Sequence, residues 1–347
     1  MSDKTIFLTG ATGYIGASVV QTLLALPNPP KQITALIRSE TKAQQFESFS
    51  TPKTVLKAVI GDFSSLDLIK STVAASDVVI SLASSDEPNH IKAIIEGSKE
   101  KLEKTGTPVY FIHTSGSAIT MDNARGLKTS DEIFTDLPAS QVSPPYNAID
   151  TIPDTAFHRD VDLIVLEADK KGYVIAYIAI PPTIFGLGKG PLYDTGFAHN
   201  SSIQIPFMIK AALGRKQPGV VGKGVNSWAY TYLGDVARLF AILYEKIGTI
   251  GHGHDGYYFT DGGEYNMNEL VEAIGEVLSS KGLVASTETT SFTDEEIKTY
   301  FFGSEFMGTN NHIIAQHSAQ IGWKSTVKGK DEFLKYVREE TARLASK

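Results

Sequence analysis

The chain has 347 residues, 42% of them apolar and 20% charged, which excludes a disordered chain or a coiled coil and leaves a globular protein of about two structural units. Lysine plus arginine number 32 against 39 aspartate plus glutamate, a net charge of −7 with no basic run, so nucleic acid is not an expected partner. The absence of cysteine excludes disulfides, thiolate zinc sites, iron–sulfur clusters and a cysteine nucleophile.

Over the first 180 residues short β-branched runs alternate with amphipathic stretches, the pattern of βαβ units around a parallel sheet. The first strand, Thr5 to Leu8, runs into Thr9-Gly10-Ala11-Thr12-Gly13-Tyr14-Ile15-Gly16 and then an amphipathic helix over Ala17 to Leu26. In that setting Gly10 permits a tight turn, Gly13 lets the backbone approach a pyrophosphate and Gly16 lets the helix lie close to the sheet. The anion would meet free amides at a helix N-terminus. The spacing is GxxGxxG, one residue longer between the first two glycines than the GxGxxG fingerprint.

The second strand, Ile33 to Ile37, ends at Arg38, about 22 residues beyond Gly16, where a dinucleotide site normally carries an acid for the ribose 2′-hydroxyl. A guanidinium there pairs with a 2′-phosphate and stacks on adenine, so NADP(H) is expected ahead of NAD(H). Further strands are expected over Val55 to Ile60, Val78 to Leu82, Val109 to His113 and Tyr173 to Ile180. Helices are expected around Ile91 to Leu102 and Phe157 to Ala168, the latter stopped by Gly172. The strands are near-continuous apolar runs, as strands covered on both faces should be.

After Gly186 the chain becomes rich in Gly, Pro and Asn through Asn226, with one helix from Ile203 to Leu213. Amphipathic helices follow over Asp235 to Ile247, Met267 to Leu278 and Glu332 to Leu344. The expected fold class is therefore α/β, a doubly wound Rossmann parallel sheet with a small C-terminal substrate-binding lobe. Residues 1–186 form the dinucleotide-binding part, its sheet completed by 220–260, and 187–347 form mainly the lobe. His252-Gly253-His254-Asp255 reads as a glycine-rich turn, and no metal is expected.

The turn at 9–16 resembles the short-chain dehydrogenase/reductase superfamily, particularly its extended members similar to epimerases and dehydratases. So do Gly61-Asp62-Phe63, Ser81-Leu82-Ala83-Ser84, His113-Thr114-Ser115, Pro181-Pro182-Thr183-Ile184-Phe185-Gly186, Tyr230 to Ala237 and Ile321-Gly322-Trp323-Lys324. The resemblance implies cofactor contact by Gly10, Thr12, Gly13, Tyr14, Ile15 and Gly16, by Asp62 and Phe63 near adenine, and by Leu82, Ala83 and Ser84 near the ribose. It also implies that Pro181, Thr183 and Ile184 face the nicotinamide amide, that Tyr257 to Phe259 is a seventh strand, and that Ser115 occupies the usual serine position.

One departure matters. Active members use a tyrosine with a lysine four residues later, and none of the fourteen tyrosines here has that lysine. Alignment on Leu166-Glu167-Ala168 puts Asp154 at the tyrosine position and His158 at the lysine position. On a helix Asp154, His158 and Asp162 would share a face, making His158 a candidate general acid. Tyr146 and Tyr193 are weaker candidates for the same proton. The expected function is an NADP(H)-dependent oxidoreductase acting on a small organic carbonyl or alcohol with a non-standard proton donor. The alternatives are a catalytically reduced NADP(H)-binding regulator and an epimerase/dehydratase-like isomerase. A monomer or homodimer is expected. The N-terminus lacks a signal peptide's basic start and long apolar core, and no stretch is apolar enough to span a bilayer, so a cytoplasmic location and no membrane partner are expected.

Overall fold

The structure is a computed structural model that describes residues 3–346. Its centre is a seven-stranded sheet of Thr5–Thr9 (β1), Gln32–Ile37 (β2), Val55–Ile60 (β3), Val78–Ser81 (β4), Val109–Thr114 (β5), Val174–Ile180 (β6) and Tyr257–Phe259 (β7). The spatial order is β7-β6-β5-β4-β1-β2-β3, and every pairing is parallel. The order reverses between β1 and β4, so a ligand crevice is expected outside their carboxyl ends. β4, β5 and β6 are almost wholly buried, because helices cover both faces.

The helices of eight residues or more are Tyr14–Leu24 (α1), Glu40–Ser48 (α2), Leu66–Ala74 (α3), Pro88–Thr105 (α4), Arg159–Lys170 (α5), Gln204–Arg215 (α6), Leu233–Lys246 (α7), Met267–Ser280 (α8), Asp294–Phe301 (α9) and Lys330–Leu344 (α10). Three of these, α2, α3 and α9, are absent from the sequence reading. Each is only eight or nine residues long, and α2 buries just Ala43 and Phe46, too few apolar positions to define a helical period. The α8 start is fixed by a capping box in which the Asn266 side chain accepts from the Asn268 amide and Glu269 reaches back to the Asn266 amide.

Two apolar cores result. The larger surrounds the main sheet, and the smaller gathers Phe185, Ile209, Trp228, Tyr230, Tyr265, Leu270 and Phe333 beneath α6, α8 and α10. In the smaller core Tyr230 and Tyr265 stack on Phe333 with ring centroids 4.6 and 4.8 Å apart, geometry that aromatic pairs favour beyond simple burial. Asp136, buried, joins the main sheet to the C-terminal segment. It accepts from the Phe259, His317 and Ser318 amides at 2.7 to 3.0 Å. Among the described residues no helix is long and apolar enough to cross a membrane.

Candidate active site

Three adjoining cavities open at the carboxyl ends of β1 and β4. One of about 950 Å³ is lined by Gly13, Tyr14, Ile15, Ser115, Pro181 and Ile184, among others. A second, of about 540 Å³, is lined by Gly10, Thr12, Arg38, Asp62 and Phe63. A third, of about 230 Å³, lies beside Arg38, Ser39 and Lys42. Leu82 and Ala83 border both larger cavities, and Ser84 borders the largest.

The turn that separates them is shaped by its glycines. Gly10 has φ +86°, and a Cβ there would lie 2.8 Å from the Leu82 carbonyl carbon. A Cβ on Gly16 would lie 2.0 Å from the Gly10 carbonyl oxygen, so Gly16 brings α1 against the turn itself rather than against the sheet. Gly13 is the N-cap of α1, and no side chain caps that end. The first-turn amides are therefore left for an anion. This cradle, which side chains would fill, fits a dinucleotide diphosphate. Arg38 is exposed at the rim of the second cavity. Asp62 beside it is held below the usual carboxylate range by hydrogen bonds from Ser64 and by the Arg38 charge.

The reacting end differs from the sequence expectation. The α5 helix begins at Arg159, and His158 is its N-cap in the left-handed region with φ +66°. Residues 153–158 turn before it, closed by a hydrogen bond from the Ala156 amide to the Pro153 carbonyl. Asp154 therefore shares no helical face with His158. Its side chain is 78% exposed, 3.9 Å from the Arg159 Nε, so the expected pairing of Asp154 with His158 is corrected. The carboxylate that meets His158 is Asp86, with Oδ1 2.6 Å from Nδ1. Burial pulls the Asp86 pKa up, but the hydrogen bond and charge of His158, with a hydrogen bond from Ser85 and the nearby His113, together hold the group below its usual range. His158 lines none of the cavities. Its Nε2 stands 3.0 Å from where a Cβ on Gly116 would be, so it walls the turn after Ser115.

Ser115 borders the large cavity, and its Oγ lies 2.9 Å from Asp162 Oδ2. Asp162 has no exposed surface, and its Oδ1 is 3.4 Å from Nε2 of the equally buried His113. The sequence reading assigned no role to Asp162, although its spacing from His158 was visible. His113, read only as part of the His113-Thr114-Ser115 segment, likewise had no role of its own. Nearby, His90 packs 4.9 Å from Phe63, and burial lowers its pKa to about 4.

Three other expected residues stand differently. Tyr146 lies in a separate three-stranded sheet with 133–135 and 313–314 and borders none of the cavities. Tyr193 does line the large cavity, but its hydroxyl donates to the Tyr14 carbonyl at 2.5 Å. Burial pushes its pKa up to about 12, so it is an anchor rather than an acid. Thr183 is buried with its hydroxyl turned to Gln204 and Tyr265, whereas Pro181, Pro182 and Ile184 line the cavity. His252 and His254 form two separate pairs, with Asp169 and Asp150 respectively.

Residues 10–121 match a family model described as NAD(P)H-binding. Over 341 residues the chain is 25% identical to the oxidase ucsJ of an Acremonium species, covering 92% of each chain. It is 27% identical over 338 residues to an uncharacterized protein of Schizosaccharomyces pombe, covering 92% of this chain and 95% of that one. Among solved structures, the UDP-glucose 4-epimerase of Thermotoga maritima with UDP-glucose superposes with a TM-score of 0.62 at 12% identity, covering 98% of this chain and 99% of the other. The dTDP-glucose 4,6-dehydratase of Bacillus anthracis, in complex with NAD, does so with 0.59 at 16% identity, covering 99% and 97%. Residues 10–121 thus match an NAD(P)H-binding domain, and the chain as a whole shares its fold with nucleotide-sugar epimerases and dehydratases.

Proposed function

We propose that the protein is an NADP(H)-dependent oxidoreductase that interconverts a small organic alcohol and its carbonyl, using Ser115 and Asp162 where relatives of this fold use tyrosine and lysine. The observation that carries the reading is the Ser115 hydroxyl at the wall of the large cavity, hydrogen-bonded to a fully buried carboxyl. The cofactor, when bound, supplies the acceptor or donor of a hydride; everything else falls to the chain. Because Ser115 Oγ donates to Asp162 Oδ2, its lone pairs are free on the cavity side and can accept from a substrate hydroxyl. During oxidation the substrate proton passes to Ser115 as the Ser115 proton passes to Asp162. During reduction both transfers reverse. Acid–base catalysis needs a proton acceptor within hydrogen-bond reach of the reacting oxygen, and a substrate hydroxyl bound against Ser115 would have one.

The preference for NADP(H) rests on Arg38, whose guanidinium stands where an acid would accept from a ribose hydroxyl, at the rim of the small cavity it shares with Ser39 and Lys42. The substrate is a small molecule, because the cavity of about 950 Å³ that Ser115 borders must also hold part of the dinucleotide. Absorbance-monitored oxidation of NADPH against a panel of aldehydes and ketones tests the reading, with S115A and D162N as the inactive controls.

A redox-neutral isomerase of the epimerase/dehydratase type is a second reading, favoured by the segment 187–202, which folds back over the glycine turn. A reaction that takes a hydride and returns it needs no exchange of the dinucleotide. It would convert substrate without net change in NADPH absorbance.

A further inference from the structure

We infer that His199 is a side-chain ligand of the cofactor diphosphate, and that the segment around it is a strap under which the dinucleotide must pass; the inference rests on the nicotinamide-dinucleotide reading above. His199 is the residue at which the three cavities meet: it borders the large reaction cavity, the adenine-side cavity and the small one beside Arg38. A dinucleotide that occupies both larger cavities has to cross between them at this junction, and the part that crosses is its diphosphate. The His199 amide donates to the Thr12 carbonyl at 3.2 Å, so the residue sits directly over the glycine turn. Among the described residues its ring makes no hydrogen bond or ion pair. An imidazole in either protonation state offers at least one N–H donor. The diphosphate would then be held by α1 amides on one side and by His199 on the other.

The strap is fastened on both flanks of the turn. On the α1 side, the Leu192 amide donates to Gln21 Oε1 at 3.2 Å and Gln21 Nε2 donates to the Lys189 carbonyl at 3.0 Å. Tyr193 donates to the Tyr14 carbonyl on the same flank. On the α2 side, Lys42 Nζ donates to the Gly196 and Phe197 carbonyls, the latter at 2.8 Å. Gln45 Nε2 donates to the Thr195 carbonyl at 3.2 Å. The anchor is Phe197, 1% exposed, which stacks on Phe46 at 5.7 Å and meets Phe49 edge-on at 6.0 Å. A bridge from α1 to α2 with a core aromatic at its foot roofs the place where the diphosphate crosses. Entry or exit of the dinucleotide therefore requires Phe197 to undock, and exchange is slower than the open rim at Arg38 alone would give.

The diphosphate is common to both nicotinamide dinucleotides, which gives His199 a signature distinct from that of Arg38. Stopped-flow fluorescence of NADPH and of NADH binding, with wild type, H199A, H199Q and F197L, tests the inference. H199A is expected to weaken both dinucleotides about tenfold and by the same factor, chiefly through faster dissociation, while H199Q, which keeps a donor, recovers most of the loss. F197L is expected to raise the association and dissociation rates together, leaving affinity within a few-fold. K42A, an exposed-side change that loosens the same flank, is expected to act in the same direction if F197L does not fold. Unchanged affinity in H199A, or a loss confined to NADPH, would overturn the role of His199; unchanged exchange rates in F197L and K42A would overturn the strap. Wild-type protein that binds neither dinucleotide would instead remove the reading on which both stand.

Discussion

The two ends of the cleft are built by different means. The core of the cofactor end, the diphosphate turn, is made of backbone: glycines at 10, 13 and 16 and amides at the start of α1, a few residues apart in sequence. The reacting end is made of side chains that meet across long chain separations, Ser115 with Asp162 over 47 residues and Asp86 with His158 over 72. A site set by local backbone geometry can be read from its glycines, whereas a site set by tertiary pairing depends on how elements dock. The contrast also predicts how each end fails. Damage to the first removes binding, and damage to the second removes turnover while binding remains.

The largest expected effect is at Gly16. A Cβ there would lie 2.0 Å from a backbone oxygen of the turn, which no rotamer change relieves. Gly16→Ala should abolish detectable NADPH binding and cost on the order of 2 kcal/mol or more of stability, seen by fluorescence titration and by denaturant unfolding. Normal binding by that variant would break the backbone half of the comparison.

Next in size is the buried carboxyl. Asp162→Asn keeps the volume and can still accept from Ser115, but it cannot take up a proton. Turnover is expected to fall about 100-fold or more with NADPH affinity within about twofold. S115A should lose a similar factor and the double variant little further, because the two act as a unit. Full turnover in D162N would show that the proton takes another route, and H158A then becomes the decisive variant. On the present geometry H158A removes the wall of Gly116 and leaves Asp86 with only the Ser85 hydroxyl, with a smaller loss of about tenfold.

An acid-stability measurement separates packing from chemistry at the same end. Burial lowers the His90 pKa to about 4, below the ordinary value near 6.5 in an unfolded chain. Between those values the unfolded state binds more protons, so the stabilising contribution is complete above about pH 6.5 and is lost as pH falls toward 4. The expected loss is on the order of 3 kcal/mol across that window. Denaturant unfolding of His90→Leu at several pH values should show a flatter profile than wild type.

Much of this was legible in the sequence because the carriers were local. Six of the seven parallel strands announced themselves as apolar runs and the seventh only through the family resemblance, while the turn announced itself as glycines between a strand and a helix. The failures share one cause. Spacing of four placed Asp154 beside His158 only if a helix ran through both, but the chain turns at 153–158 and α5 starts one residue after the histidine. Tyr146 was a candidate for the same proton, yet it pairs into a separate small sheet and borders none of the three cavities. Asp86, His113 and His199 carried no signal of their own, because each acquires its neighbours only when β4, β5 and the segment after Gly186 converge at one end of the sheet. Asp162 was the exception. Its helical spacing was visible, but only tertiary docking shows that its partner is Ser115.

The smallest effect, and the sharpest on cofactor choice, concerns Arg38. Arg38→Ser is expected to weaken NADPH about tenfold or more while leaving NADH nearly unchanged, in contrast to the equal losses expected of H199A. Equilibrium titration of the wild-type protein with NADPH and NADH in parallel tests the central claim most directly. The account predicts that both bind and that NADPH binds at least about tenfold more tightly. Retention of neither dinucleotide at millimolar concentration, or a clear preference for NADH, would contradict it.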